Sequence, residues 1–275
     1  MQCDDIASGQ DILDVEQMSF AYADKPNLTD ITIEIKPGEF VAILGKNGSG
    51  KTTLMRCVNK ILKIKSGSVH ICDEDIVSLQ MADIAKLCTT VPADAPLDFS
   101  LKVRDFVSLG RTPFVNSLWW EDEEDERIVN QAMYDFGINM YADRRLHELS
   151  SGERARVLLA KGVVQTPKLM LVDEPSAHLD IKYKVQVMEL LKMLSEKGMA
   201  ILMANHDINL LTRFCDRILL LHEGEIIADG KPNDVVTQEN IRKVFDIEVE
   251  IVQSGGVNYI LPTGSTGWGE ENIEN

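Results

Sequence analysis

Alternation is the first pattern along the chain. Residues 12–22 (ILDVEQMSFAY) and 28–35 (LTDITIEI) switch between apolar and polar side chains, the period of half-buried strands. Pro37-Gly38 signals a turn. The next five residues, FVAIL at 40–44, are all apolar and suit a strand buried on both faces. A glycine-rich loop follows, then TTLMRCVNKIL with helical spacing. SGSVHIC (66–72) and KLCTTV (86–91), which ends at Pro92, read as strands. From about Leu101 to Gln165 the pattern is helical, and the acidic run 121–126 (EDEEDE) suits the positive start of a helix. Strand–helix alternation resumes with LMLV (169–172), a helix over 181–198, the strand MAILMAN (199–205) and the helix INLLTRF (208–214). RILLLHEG and EIIADG predict a hairpin, DVVTQENIRKVF short helices, and IEVEIV and VNYILP two strands around Gly255-Gly256. The final GSTGWGEENIEN is expected to be a disordered tail. The whole predicts an α/β chain with a mostly parallel sheet, an N-terminal antiparallel β subdomain and an inserted helical subdomain at about 98–165. One domain is expected over 1–245, with a short β extension over 246–275.

Composition narrows the class. Of 275 residues, 28 are basic and 44 acidic, giving a net charge of -16. That balance argues against binding long nucleic acids and against retention on an anionic bilayer by charge alone. No apolar run approaches the roughly 18 residues of a membrane span, and the acidic N-terminus lacks the apolar stretch of a secretory signal. The five cysteines (3, 57, 72, 88, 215) are scattered without a C-x-x-C pair, so each is expected to be a reduced, buried small hydrophobe.

Two short motifs carry chemistry. Gly45-Lys46-Asn47-Gly48-Ser49-Gly50-Lys51-Thr52 fits G-x-x-x-x-G-K-[ST] between a buried strand and a helix. Its glycines permit positive φ and let backbone N–H groups approach phosphates, Lys51 reaches the β- and γ-phosphates, and the Thr52 hydroxyl suits Mg²⁺. Thr53 follows on the same helix start. The second motif is Asp173-Glu174-Pro175, placed where the strand 169–172 ends, at the edge where open α/β sheets bind ligands. Asp173 is expected to hold Mg²⁺ and Glu174 to act as general base on the attacking water.

The order of these motifs resembles the ATP-binding subunit of an ABC transporter. Leu149-Ser150-Ser151-Gly152-Glu153 is similar to the LSGGQ signature, Ser176-Ala177-His178-Leu179-Asp180 to the D-loop, His206 to the switch histidine and Tyr22 to the aromatic that stacks on adenine. The resemblance runs from about residue 11 to 245. It implies a P-loop NTPase (RecA-like) fold with ATP and Mg²⁺, and a homodimer sandwiching each ATP between the phosphate loop of one copy and Ser150, Ser151, Gly152 and Glu153 of the other. Asp180 would communicate between the two sites, and His206 would contact the γ-phosphate. Leu101–Phe114, with Gly110-Arg111 and Pro113, is similar to a stretch in subunits that energise importers of iron-siderophores, haem or vitamin B12. The partners implied are two integral-membrane permease subunits and, indirectly, a substrate-binding protein, with this chain peripheral on the cytoplasmic face of the membrane. Two other classes stay open: a dimerising scaffold with weak or no turnover, and a soluble iron–sulfur assembly ATPase.

Two positions depart from the family pattern. Ala93 stands where a glutamine is usual and can neither donate, accept nor ligate, so Asp94 or a water is expected to substitute. Gln80 lies upstream and is not expected to be equivalent. Ser151 and Glu153 replace Gly and Gln: a Cβ would cost at positive φ, and Glu153 is expected to face solvent rather than nucleotide. Arg154 and Arg156 either add positive potential nearby or lie on a solvated face. Sorted by segment, residues 46–95 hold five acidic and seven basic residues and residues 151–245 thirteen of each, whereas 1–45 hold nine and two and 246–275 six and none. The acidity therefore lies away from the segments expected to hold ATP.

Overall fold

The computed structural model describes residues 10–23, 25–92, 100–114, 123–175 and 179–265. Strand β1 (Leu13–Tyr22) pairs antiparallel with β2 (Lys25–Ile35) and with β4 (Ser66–Ile71), and the short β5 (Glu74–Asp75) completes a sheet ordered β2-β1-β4-β5. The central sheet is built on β3 (Phe40–Leu44), with β6 (Cys88–Val91), β7 (Leu169–Asp173), β8 (Ala200–Ala204), β9 (Arg217–His222) and β10 (Glu225–Gly230) in the order β10-β9-β3-β8-β7-β6. All its pairs are parallel except the β9–β10 hairpin.

Both faces of this sheet are covered, which is why its strands are uninterrupted apolar runs. Phe40, Ala42 and Leu44 join Met170, Val172, Ile201 and Met203 in one core, on the side of the helices. Val41, Ile43, Leu169, Leu171 and Leu202 join a second core with the antiparallel sheet and helix α1 (Lys51–Val58). Helix α2 (Met81–Leu87) corrects the expected strand over 86–91: only Cys88–Val91 is extended. Gln80 is its N-cap, its own N–H donating to Asp83 at 3.3 Å, so that glutamine has a local structural task. The helix after the phosphate loop ends at Val58, not at Leu62; Asn59 caps it and donates from Nδ2 to Thr90 Oγ1 at 3.0 Å.

Helices α3 (Val103–Ser108), α4 (Glu123–Asp135) and α5 (Ser151–Val164) pack on one another. The start of α4 is acidic as expected, although 121 and 122 fall outside the described residues. After α3 the chain tightens into a 3₁₀ helix, Leu109–Phe114, with Pro113 inside it. Arg111 is buried there. Its Nε donates to Asp125 at 2.7 Å, its Nη1 to the Val164 carbonyl at 2.8 Å, and its guanidinium lies 4.1 Å from the Phe114 ring centroid. One side chain thereby ties the 3₁₀ segment, the first turn of α4 and the last turn of α5.

Helix α6 (Ile181–Glu196) precedes β8, α7 (Ile208–Phe214) follows it, and α8 (Pro232–Val235) and α9 (Gln238–Phe245) follow β10. The chain then forms the hairpin β11 (Ile247–Ser254) and β12 (Val257–Ser265). The hairpin packs through Val249 and Ile260, and Asn209 of α7 exchanges hydrogen bonds with the Ile260 backbone at 2.9 and 3.2 Å. Cys57, Cys88 and Cys215 are buried, and burial pushes the Cys57 thiol up to about 12; Cys72 is only half-buried, unlike the expectation, and Cys3 lies outside the described residues. No helix among the described residues is long and apolar enough to cross a membrane.

Breaking the Arg111–Asp125 pair leaves a guanidinium with little access to water. Asp125→Asn should lower unfolding stability by about 2–3 kcal/mol, below the roughly 3–5 kcal/mol of a fully buried pair. Urea denaturation reads this, and a surface control such as Glu124→Gln should leave the midpoint essentially unchanged.

Candidate functional site: a phosphate loop at the edge of the parallel sheet

The loop from Gly45 leaves β3 at the C-terminal edge of the sheet and opens α1. Gly48 and Gly50 occupy the left-handed region (φ 83° and 110°), as the loop's turns require. Gly50 is the N-cap of α1 and offers no side-chain cap, so the first-turn N–H groups stay available to an anion. Asn47 and Gly48 are exposed, while Ser49 is buried and its Oγ has no hydrogen-bond partner among the described residues. Lys51 is buried; its Nζ donates to the carbonyls of Gly45 (2.8 Å) and Lys46 (3.0 Å), leaving one of its three donors for a ligand. Burial depresses the Lys51 pKa, against the opposing pull of Glu174 and Asp173. Lys46 pairs with Asp246, where α9 ends.

Asp173 ends β7 and Glu174 follows it. The Thr52 hydroxyl donates to Asp173 Oδ2 at 2.8 Å. Burial raises the Asp173 pKa, and neighbouring Glu174 adds to the rise against Thr52 and Lys51. Glu174 sits at φ 43°, a strained backbone conformation for a side-chain-bearing residue; its N–H is held by the Ala204 carbonyl at 2.9 Å. Its carboxylate Oε2 lies 3.7 Å from His206 Nδ1. Tyr22 is exposed at the end of β1, edge-on to Phe20 with ring centroids 4.8 Å apart. Its hairpin reaches the phosphate loop: a methyl on Gly50 would fall 2.8 Å from Leu28 and 3.3 Å from the Asn27 carbonyl. Thr53 lies half-buried in the first turn of α1. The chain thus brings together the phosphate loop, Asp173, Glu174 and His206, while Tyr22 lies on a hairpin that meets the loop through Asn27 and Leu28.

Ser150, Ser151, Gly152 and Glu153 lie elsewhere: among the described residues, no hydrogen bond or ion pair joins them to the phosphate loop. Ser150 is the N-cap of α5. Glu153 lies partly exposed at the start of α5, as expected, and there it also has a structural task. Its carboxylate accepts from the Ser150 N–H (2.7 Å) and Oγ (2.8 Å), a capping box, and Tyr141 also bonds to it. These bonds, the Ser150 N–H first, hold its pKa below the usual range. Ser151 is the first helical residue, outside the left-handed region, so its Cβ carries no positive-φ cost. Gly152 is the constrained position: a Cβ there would meet the Tyr183 ring of α6 at 2.4 Å. Arg154 donates to the His147 carbonyl at 3.0 Å, and Arg156 reaches the Phe136 and Gly137 carbonyls at 3.4 Å, so both bond within the helical subdomain. Asp180 occupies the N-cap position of α6 without a side-chain cap. Ala93, Asp94, Ser176, Ala177 and His178 lie outside the described residues.

Comparison with known proteins decides the family. The model of the ABC transporter family matches residues 28–177. The chain belongs to the ABC transporter family. An uncharacterized ABC transporter ATP-binding protein of Methanocaldococcus jannaschii is 37% identical over 92% of this chain and 98% of its own. The petrobactin import ATP-binding protein FpuC of Bacillus anthracis is 34% identical over 91% and 93%, and the iron(3+)-hydroxamate import ATP-binding protein FhuC of Bacillus subtilis 33% over 90% and 92%. Among solved structures, cbiO1 of Clostridium perfringens, part of the ABC transporter complex cbiONQ, superposes with a TM-score of 0.76 at 33% identity, covering 86% of this chain and 94% of that one. This ABC chain is an ATP-binding ATPase subunit with the P-loop NTPase fold.

Sequence reasoning missed one residue that orients this ABC ATPase's site. Asn205 is fully buried, and its Oδ1 accepts from the N–H groups of His206 (2.7 Å) and Asp207 (3.0 Å), fixing the backbone that carries the histidine. The only signal was an amide directly before His-Asp at a strand end. Asp207 then caps α7 and approaches Lys184 of α6 at 3.6 Å.

Asp173 holds its proton more tightly folded than unfolded. Its contribution to stability is therefore greatest below the unfolded carboxylate range and is lost as pH rises through the folded value. Asp173→Asn, which still accepts from Thr52, should raise the urea midpoint of the nucleotide-free protein at neutral pH and flatten this pH dependence, while ATP hydrolysis is lost. Glu153→Ala should cost about 1 kcal/mol of stability through loss of the cap, whereas Glu153→Gln should keep it; thermal denaturation of the pair checks this.

Proposed function

We propose that this ABC ATPase hydrolyses ATP with Mg²⁺ as a homodimer and powers an importer for an iron-siderophore, haem or cobalamin-type cargo. The observation that carries the reading is the strained Glu174 carboxylate beside His206, next to a Thr52–Asp173 pair behind a phosphate loop. Glu174 accepts the proton of the attacking water. His206, exposed and backed by Asn205, donates toward the γ-phosphate. Lys51 and the first-turn N–H groups of α1 take the charge of the β- and γ-phosphates, and Tyr22 stacks on adenine. The residues fit Mg²⁺: a hydroxyl and a desolvated carboxylate are hard oxygen donors, and such sites take few protein ligands with substrate phosphates. No cluster of three His, Cys, Asp or Glu suited to a metal occurs among the described residues, as that shared mode needs none. Thr52 and Asp173 would hold the ion, which would neutralise phosphate charge.

The dimer reading places Ser150 and the α5 N-terminus of one copy against the γ-phosphate of the other, because they stand apart from the phosphate loop of their own chain. Asp180 would lie between the two sites. The importer reading rests on relatives named for petrobactin, iron(3+)-hydroxamate, hemin and cobalamin import. It also accounts for exposed Ile61, Val77, Met81 and Leu109 near α2, where Lys60 binds the Val77 and Leu79 carbonyls and α2 packs on the 3₁₀ segment. A patch of that kind suits permease subunits at the cytoplasmic face of the membrane. A substrate-binding protein would select cargo on the far side.

Glu174→Gln should lower the hydrolysis rate by roughly 10²-fold or more and trap an ATP-bound dimer that wild type forms only transiently. Turnover of the purified proteins and sedimentation with ATP read both. Equal, near-zero rates for wild type and variant would instead establish the weak-turnover scaffold.

A further inference from the structure

The phosphate loop and the histidine segment leave neighbouring strands, β3 and β8, which pair in parallel as far as Ile43 opposite Ala204. One further backbone bond runs from the Asn205 N–H to the Ile43 carbonyl at 3.3 Å. Beyond that point strand pairing no longer fixes how far Lys51 stands from His206.

The C-terminal hairpin reaches both segments. At one end Asp246, the residue before β11, pairs with Lys46 of the phosphate loop. The carbonyl of the same Lys46 accepts from Lys51 Nζ at 3.0 Å. At the other end the Ile260 N–H of β12 donates to Asn209 Oδ1 at 2.9 Å, and Asn209 Nδ2 donates back to the Ile260 carbonyl at 3.2 Å. Asn209 lies in the first turn of α7, whose N-cap, Asp207, adjoins His206. Between these ends the hairpin is held firmly. Gln238 Nε2 donates to the Val249 carbonyl at 3.0 Å, and Asn233 donates to the Gly256 carbonyl at 2.8 Å and accepts from the Asn258 N–H at 2.9 Å.

Stability does not account for the Asp246 contact. The pair with Lys46 is largely exposed, and such pairs contribute little. Asp246 also holds a left-handed φ of 56° at the end of α9, where glycine is the ordinary residue. Hydrogen bonding from Lys46, and then its charge, holds the Asp246 carboxyl below the usual range, so it is ionised at neutral pH. The consequence of the contact is where it keeps Lys46, and strained backbone is commonly retained where a site must be placed.

We propose that the C-terminal hairpin is a brace that fixes the spacing of the phosphate loop and His206 for hydrolysis, with Asp246 and Asn209 as its positioning residues. This rests on hydrolysis through Glu174 and His206 and adds what aligns the two halves of that site. Asp246 acts through Lys46, and Asn209 through the cap of α7. Small displacements of reacting groups lower a rate steeply, so a loosened brace should show in kcat rather than in ATP affinity. One element carries both ends, so releasing either end releases the same constraint.

Turnover and ATP affinity of the purified full chain test this, with affinity read by displacement of a fluorescent nucleotide analogue. Asp246→Gly suits the left-handed backbone but removes the carboxylate. It should lower kcat by about three- to tenfold, with ATP affinity held within roughly twofold and the urea midpoint unchanged or raised. Asp246→Asn, still an acceptor for Lys46 and tolerant of positive φ, should keep most of the rate. Asn209→Ala should slow turnover to a similar extent; Asn209→Asp, which still accepts from the Ile260 N–H, takes its place should the alanine variant not fold. Combining Asp246→Gly with Asn209→Ala should give a rate within about twofold of the slower single variant, because coupled positions are not additive. Glu250→Gln, on the exposed side of β11, should leave the rate unchanged. An unchanged kcat in Asp246→Gly, an ATP affinity or urea midpoint that falls in step with the rate, or losses that multiply in the double variant overturns the brace and leaves the hydrolysis reading standing. A wild-type chain without turnover overturns both.

Discussion

The rest of the molecule depends on burying the parallel sheet on both faces. Five residues, Phe40–Leu44, have no access to water on either side, so β3 cannot carry a polar group except at its ends. Alternate side chains feed two separate cores, one with the helices and one with the antiparallel sheet. Polar chemistry is thereby confined to the strand edges. At the C-terminal edge the chain needs a tight turn into α1 and an acidic stop to β7, and those two needs meet as the phosphate loop and Asp173.

Confinement at that edge also explains the electrostatics. Lys51 and Asp173 are both desolvated, and their pKa values are displaced toward the neutral forms. Without nucleotide, Lys51 spends two of its donors on loop carbonyls and Asp173 accepts from Thr52. These substitutes leave the site organised but under-compensated, with the Ser49 hydroxyl orphaned beside them. A phosphate chain and a cation are the groups whose charges complement this set. The strain at Glu174 belongs to the same economy: sites commonly keep costly geometry where the reacting groups must stand.

The signature departures are instructive because residue type alone does not say what each costs. Serine in place of the first signature glycine carries no positive-φ strain, as that residue begins a helix and is exposed. The glycine that matters is 152, where α5 meets the Tyr183 ring. Glu153, expected to face solvent rather than nucleotide, is in the free chain a helix cap bonded to Ser150 and Tyr141. Substitution within a motif is interpretable only once the backbone angle and the packed neighbour are known.

By itself the sequence determined what is local or periodic. Alternation placed β1, β2 and β3, a glycine-rich run between strand and helix placed the phosphate loop, and an apolar run before Asp-Glu placed β7 and its carboxylates. These patterns are legible because each rests on contacts within a few residues or on one face of one element. Helix α2 was not legible: seven residues with a single fully buried side chain carry little period, and Lys86-Leu87 read as the start of β6. Nor were the roles of Arg111 and Asn205. The first joins three helical segments, and the second fixes the histidine backbone from inside the core. Those roles belong to neighbours distant in sequence, brought together by burial of the sheet, and burial is what only the tertiary structure decides.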